Sequence, residues 1–369
     1  MRDERFEGPD GPYFMSHSVG LMPKAARLRL EEAFVAPWAA GSANAWDRWL
    51  AAIARWRGAL APILGAEADD ICPQANVSSG LTKILSCLEP HAGRRTILLC
   101  EDDYPTVGFV AGEARRRGFE VEFLPGGLHL RDPDAWARAA KDDIALAFVT
   151  HVFSNRGVRS PVEEIAARAR AAGAVVVVDA AQSAGAVEID ATRWGAHFIL
   201  GTSVKYLCGG PGAAFLWANP ETVDAFKPTD VGWFSHRSPF EGDIRRFDYA
   251  PRAARFWGGT PNVAPYALAT AGAEAIRDSG PVRVAAHNQR LLGSLIDGIE
   301  PQRLASCVDP EARGCAVIVR PARVQEAAAA LAEAGVRFDE RAGGIRLSVH
   351  LYTDYSDIAA ARSALAPYL

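Results

Sequence analysis

The chain lacks a long apolar run. None of its stretches approaches the roughly 20 consecutive apolar residues that a membrane-spanning helix needs. Its opening residues, Met-Arg-Asp-Glu-Arg-Phe-Glu-Gly-Pro, lack the hydrophobic core of a secretory signal, so a cytoplasmic protein is expected. An excess of either charge is also missing. A net charge of −4 and a pI near 6.1 leave no electrostatic footing for nucleic acid or an anionic membrane. The cysteines Cys72, Cys87, Cys100, Cys208, Cys307 and Cys315 show neither CxxC pairing nor metal-ligand spacing, so no metal site is expected. Several lie in apolar surroundings, as in Ile97-Leu-Leu-Cys100, where a buried thiol in a reducing compartment is the ordinary reading. There is no internal repeat and no low-complexity segment, apart from an alanine run at 327–330.

What is present is a globular composition, 49% hydrophobic and 23% charged, in 369 residues, enough for an ample core and two domains. Through the middle, apolar runs at 96–100, 120–124, 144–149, 174–178 and 213–217 read as strands. Helical patterns at 110–118, 134–140 and 161–172 alternate with them. This alternation predicts an α/β fold with a mainly parallel sheet, helices on both faces and ligands at the carboxyl ends of the strands. Residues 220–261 are rich in aromatics, Arg, Gly and Pro and lack periodicity. Helices at 264–278 and 282–299 follow. A strand at 314–319, a helix at 324–335, a strand at 344–351 and a helix from Tyr355 then predict a smaller α/β unit.

Two residues set 26 apart carry the chemistry. Asp179 ends the run Val175-Val-Val-Val-Asp179, and Lys205 follows the apolar run Phe198-Ile-Leu200. An amine and a carboxylate so placed suit pyridoxal phosphate (PLP). The amine holds the aldehyde as a Schiff base, and the acid keeps the pyridine nitrogen protonated so that the ring accepts electrons. Taken singly, an acid ending a strand and a surface lysine are the plainer readings. Ala75-Asn-Val-Ser78-Ser79-Gly80 precedes a helical run and can leave backbone N–H groups free for a phosphate, or can be a plain N-cap; Ser203 can add a hydroxyl. Tyr104, after the strand at 96–100, can stack on a flat ring or simply occupy a turn beside Pro105. Gln182 can reach the ring oxygen or be a loop residue. Trp233 and Thr260 lie in the irregular segment, where packing and a turn are the alternatives. Arg346, amid alternating apolar residues, needs a carboxylate, for which a substrate serves ahead of a local acid such as Asp339.

Together these residues resemble the fold-type I PLP enzymes of the class V aminotransferase superfamily, which includes cysteine desulfurases and kynureninases. The likeness runs from Tyr13-Phe-Met-Ser-His-Ser18-Val-Gly20 through Asp357. It is most specific at Asp179-Ala-Ala-Gln182 and Ser203-Val-Lys205-Tyr-Leu-Cys-Gly-Gly-Pro211-Gly. The Lys-Tyr-Leu-x-x-Gly-Pro-Gly string, Gly232-Trp233-Phe234, Gly258-Gly-Thr260-Pro261 and Phe338-Asp-Glu-Arg341 with Ile345-Arg346 look most like kynureninase. The resemblance implies a large domain (1–260) with a mainly parallel seven-stranded sheet and a smaller C-terminal α/β domain (261–369). It implies Lys205 as the cofactor-linking lysine, Asp179 at the pyridinium and Tyr104 stacked on the ring. Ser78, Ser79, Ser203 and Trp233 would hold the phosphate. Thr260 would reach the phosphate of a neighbouring subunit in a homodimer, and Arg346 would clamp the substrate carboxylate. Two positions differ from the kynureninase pattern: Val204 stands where tyrosine is usual, and Gln182 where histidine is.

For the reaction, the expectation is hydrolytic Cβ–Cγ cleavage of an L-amino acid with a γ-keto side chain, releasing alanine and a carboxylic acid. The alternatives are a class V aminotransferase, epimerase or β-lyase, for which Gln182 and Val204 speak, and a PLP-binding protein without turnover. A thiol-dependent cysteine desulfurase is disfavoured. The stretch from Phe338 to Ile345 has no cysteine, and Cys315 lies in an apolar run.

Overall fold

In the computed structural model, which describes residues 3–91, 93–139, 143–341 and 343–369, the apolar runs of the middle of the chain become one sheet. Its strands are β1 (Ile71–Gln74), β2 (Thr96–Cys100), β3 (Glu120–Leu124), β4 (Ile144–Thr150), β5 (Val175–Asp179), β6 (Phe198–Thr202) and β7 (Ala214–Ala218). Their order is β1-β7-β6-β5-β4-β2-β3. Neighbours from β3 through β6 pair parallel, and β7 runs antiparallel to both β6 and β1. The inner strands β2, β4, β5, β6 and β7 are apolar without alternation because both faces are covered, whereas the edge strand β3 carries Glu120 and Glu122. Val176 and Val178 face a core built with the helices Ala45–Leu64, Val162–Ala171 and Ala264–Ser279. Val177 faces the opposite core with Val77–Ser86 and Pro105–Ala114.

Several elements depart from the sequence expectation for local reasons. Strand β1 contains Pro73, which has no N–H to donate and is tolerated because β1 is an edge strand. The helix expected at 110–118 spans Pro105–Ala114, since Pro105 takes its first turn. The helix expected at 134–140 spans Pro133–Ala139, and Ala140 lies outside the described residues. The helix Ala45–Leu64 was not anticipated. It buries Ile53, Trp56, Leu60, Ile63 and Leu64 along one face and stops at Gly65, whose φ of 61° is left-handed.

The second sheet is antiparallel, β8 (Ala316–Val319), β10 (Gly344–Ser348) and β9 (Asp339–Arg341), in that order. Alternation is strict along β10 and just past it. Ile345, Leu347 and Val349 enter a core with Leu291, Leu295, Leu331 and Ile358, whereas Arg346, Ser348 and His350 hydrogen-bond on the other side. The N-terminal segment runs through the same region. Ser348 N donates to Phe14 O at 2.9 Å, and Gly20 N donates to Val204 O at 2.8 Å, beside Lys205.

Candidate active site

The parallel strands bring their carboxyl ends together, and the sequence-derived residues collect there. Asp179 closes β5, with Thr150 of β4 beside it in register. Tyr104 follows β2 and caps the helix Pro105–Ala114, and Lys205 lies in the turn after β6. A cavity of ≈ 220 Å³ is lined by Ser78, Tyr104, Asp179 and Lys205, together with Asn76, Thr106 and Thr202.

The Lys205 side chain has no hydrogen bond or ion pair among the described residues; its Nζ stands 5.5 Å from the Tyr104 ring centroid. Burial pushes its pKa down, Asp179 pulls it up and Arg346 pushes it down again. A buried amine of this kind gives up its proton readily and becomes a nucleophile. Burial pushes the Asp179 carboxyl up, while Lys205 and the Ala181 N–H, 2.7 Å from Oδ1, hold it down. Behind it, Asp103 accepts from Thr150 Oγ1 at 2.6 Å and from Cys100 N at 2.8 Å, joining the ends of β2 and β4. Burial and the neighbouring Asp179 and Asp102 raise its pKa to about 7, against the pull of those hydrogen bonds.

The helix Val77–Ser86 starts earlier than the sequence suggested. Asn76 caps it, its Oδ1 accepting from Ser79 N at 2.8 Å and Ser79 Oγ at 3.0 Å. Ser78 and Ser79 therefore belong to the first turn, where the N–H groups of Val77 and Ser78 have no acceptor within the helix. Ser78 lines the cavity. Ser79 instead faces an adjoining cleft of ≈ 250 Å³ with Lys83, Thr260 and Asn262. Ser203 is fully buried, and its Oγ has no hydrogen-bond partner among the described residues. Thr202 points into the cavity in its place. An unpaired buried amine, a facing carboxylate, an aromatic face and a helix start with free N–H groups fit PLP.

The remaining sequence-derived residues lie outside that cavity. Gln182 donates from Nε2 to His17 O at 3.0 Å, tying down the N-terminal segment. Trp233 donates from Nε1 to Thr260 Oγ1 at 3.3 Å, and neither lines the cavity that holds Lys205. Arg346 does have a carboxylate, and it is the local one. Nε donates to Asp339 Oδ1 at 2.9 Å and Nη2 to Oδ2 at 2.5 Å, while Nη1 donates to Ser154 O at 2.8 Å. Of its five N–H bonds this leaves one on each Nη. Asp339 also meets His17 Nε2 at 3.0 Å. Burial favours the neutral acid there, but His17 and Arg346 hold it well below the usual carboxylate range. Thr106, Thr202 and Asn76 went unnoticed in the sequence. The period-2 rule at the end of β6 was a signal for Thr202.

Four of the thiols are held protonated. Burial pushes Cys72, Cys87, Cys208 and Cys315 up to about 12, and Cys315 donates to Ala186 O. Among the described residues no group of three or more His, Cys, Asp or Glu is placed to hold a metal ion, and no helix is long and apolar enough to cross a membrane.

Comparison with known proteins places this geometry in a family. Residues 41–360 match the family model described as aminotransferase class-V. A kynureninase of Deinococcus radiodurans is 32% identical over 375 aligned positions, covering 97% of this chain and 90% of that protein. One from Burkholderia mallei is 31% identical over 281 positions, 73% of this chain and 66% of its own length. Among solved structures, the cystine C-S lyase C-DES in complex with cysteine persulfide superposes with a TM-score of 0.86 at 23% identity, covering 97% of this chain and 98% of that one. A cysteine desulfurase from Thermococcus onnurineus gives 0.83 at 20% identity, covering 97% and 95%. At such identities these two likenesses concern the fold.

Proposed function

Because the chain belongs to the class V aminotransferase family of PLP-dependent enzymes, we propose that it is a kynureninase-like hydrolase, cleaving the Cβ–Cγ bond of a γ-keto L-amino acid to alanine and a carboxylic acid. The observation that carries the reading is the half-buried Lys205, its amine unpaired, with Asp179 and Tyr104 in one cavity, in a chain with kynureninase relatives. When bound, the cofactor supplies an aldehyde for the lysine and a ring that accepts the electrons of the Cα–H bond.

The chain's own residues do the rest. Lys205 Nζ, with its pKa lowered by burial, would hold the cofactor through its aldehyde and would be the base that takes and returns the proton at the substrate Cα. Asp179, with its open oxygen, would hold the ring nitrogen and Tyr104 would pack on the ring, while Gln182, with one amide N–H spent on His17 O, would offer the other to the ring oxygen. Val77 and Ser78 would offer N–H groups to the phosphate at the helix start, with Thr202 beside them in place of the buried Ser203, and Ser79 on the side of the adjoining cleft. Arg346, held by Asp339 and Ser154 O, presents its two remaining N–H bonds to the substrate carboxylate.

Trp233 and Thr260 support a homodimer, because neither reaches its own chain's cavity and the segment around them exposes Phe240, Ile244 and Phe247. In that assembly they would serve the phosphate of the neighbouring subunit. The six free cysteines support a reducing, cytoplasmic setting. The test is incubation of PLP-loaded protein with L-kynurenine. Anthranilate and alanine in equal amounts are expected, and neither product would remove this substrate. Gln182, tied to His17 O, and Val204 favour an aminotransferase, epimerase or β-lyase as the second reading. Accumulation of pyridoxamine phosphate with an amino donor would select transfer.

A further inference from the structure

We infer that His350 is a positioning residue for Lys205, holding the carbonyl of the next residue, Tyr206, so that the lysine stays in place for its covalent link to the cofactor. The inference rests on the reading of Lys205 as the cofactor-linking amine.

His350 is fully buried, and its Nε2 lies 2.7 Å from Tyr206 O. A carbonyl oxygen only accepts, so the proton sits on Nε2 and Nδ1 is bare. Nδ1 has no hydrogen-bond partner among the described residues. Burial lowers the imidazole pKa to about 4, outweighing the pull of Tyr206 O, so the ring is neutral with its single proton on Nε2 near neutral pH. A side chain that leaves one buried nitrogen unsatisfied is an odd choice for packing alone.

The same loop is held on its other side. Gly20 N donates to Val204 O at 2.8 Å, so the carbonyls before and after Lys205 are both pinned from outside the loop, and Lys205 O accepts from Cys208 N at 3.0 Å. His350 shares a face with Arg346 and Ser348, while Ile345, Leu347 and Val349 anchor the other face in the small core. The lysine backbone is thereby referenced to the strand that carries Arg346. The Lys205 side chain is long and free to rotate, so its Nζ finds the aldehyde reliably only if its root does not move.

The test compares two ligands, pyridoxal phosphate and pyridoxine 5′-phosphate. The second carries an alcohol in place of the aldehyde and cannot link to the lysine. In His350→Leu, which lacks the donor, the dissociation constant for pyridoxal phosphate is expected to rise about tenfold, as for one lost hydrogen bond, while that for the alcohol changes less than about twofold. His350→Gln, whose amide reaches the Nε2 position, is expected to restore most of the lost affinity. A merely structural role would weaken both ligands alike, and that result, or no change in either, overturns the inference. If the leucine variant does not fold, His350→Asn, too short to reach Tyr206 O, takes its place under the same criterion. The underlying site reading is tested separately. Wild type must prefer the aldehyde over the alcohol, and Lys205→Ala must erase that preference; failure of either sinks the site reading and not the role of His350 alone.

Discussion

Replacing Asp339 with asparagine gives a perturbation whose size follows from the geometry. The carboxylate binds Arg346 through two oxygens at 2.9 and 2.5 Å and meets His17 Nε2 at 3.0 Å. Asparagine keeps the shape but turns one acceptor into a donor, aimed at Arg346 or His17, both of which also donate. Removing one member of a fully buried pair costs about 3–5 kcal/mol, and of an exposed pair no more than about 1 kcal/mol. The Arg346 side chain is 6% exposed and that of Asp339 28%, so a loss of about 2 kcal/mol at neutral pH is expected. The pH dependence carries a sign. The folded-state pKa of Asp339 lies below its ordinary 3.8, so the contribution of the pair is complete above that value and fades as pH falls through the lower, folded one. Urea unfolding of wild type and Asp339→Asn should therefore show a constant gap from about pH 8 to about pH 5, shrinking below about pH 4. Equal stabilities at neutral pH would refute the reasoning. So would a gap that persists undiminished at the lowest pH where both proteins fold.

Gly20→Ala should destabilise by about 1–3 kcal/mol in a thermal melt, because the added Cβ would overlap the Lys205 carbonyl oxygen and lie 2.8 Å from Cys208 Sγ. A melting temperature equal to wild type would show that the N-terminal segment does not seat as described. Cys315→Ala should leave kynurenine turnover within about twofold, since a thiol with its pKa pushed to about 12 is no nucleophile at working pH. A loss of turnover far beyond that in a variant that melts normally would restore thiol chemistry as a candidate.

The parts of the fold that were legible in the sequence are those whose pattern is set by burial on both faces. The valines of β5 and the apolar run of β4 announce parallel strands wherever they occur, and the residues at their carboxyl ends follow from the topology. Asp179, Lys205 and Tyr104 were therefore found together. Edge elements were not legible. β1 carries Pro73, and β9 is the polar tripeptide Asp339-Glu-Arg341, so neither has an apolar signature. Side-chain direction was the second limit. Ser203 and Thr202 differ by one position, and only the end of β6 decides which faces the cavity. The third was competition between partners. The sequence showed that Arg346 needs a carboxylate, yet only the pairing of β9 with β10 brings Asp339 opposite it. His350 could not have been singled out, because its partner is a backbone carbonyl of a distant loop.

Cofactor attachment depends on one amine. The chain has five lysines, Lys24, Lys83, Lys141, Lys205 and Lys227. Reducing the PLP-loaded protein with borohydride and mapping its peptides by mass should place a single phosphopyridoxyl group on the peptide containing Lys205, and none anywhere in Lys205→Ala. A modification shared among the other lysines, or an unmodified Lys205 peptide in protein that retains the cofactor, would contradict it.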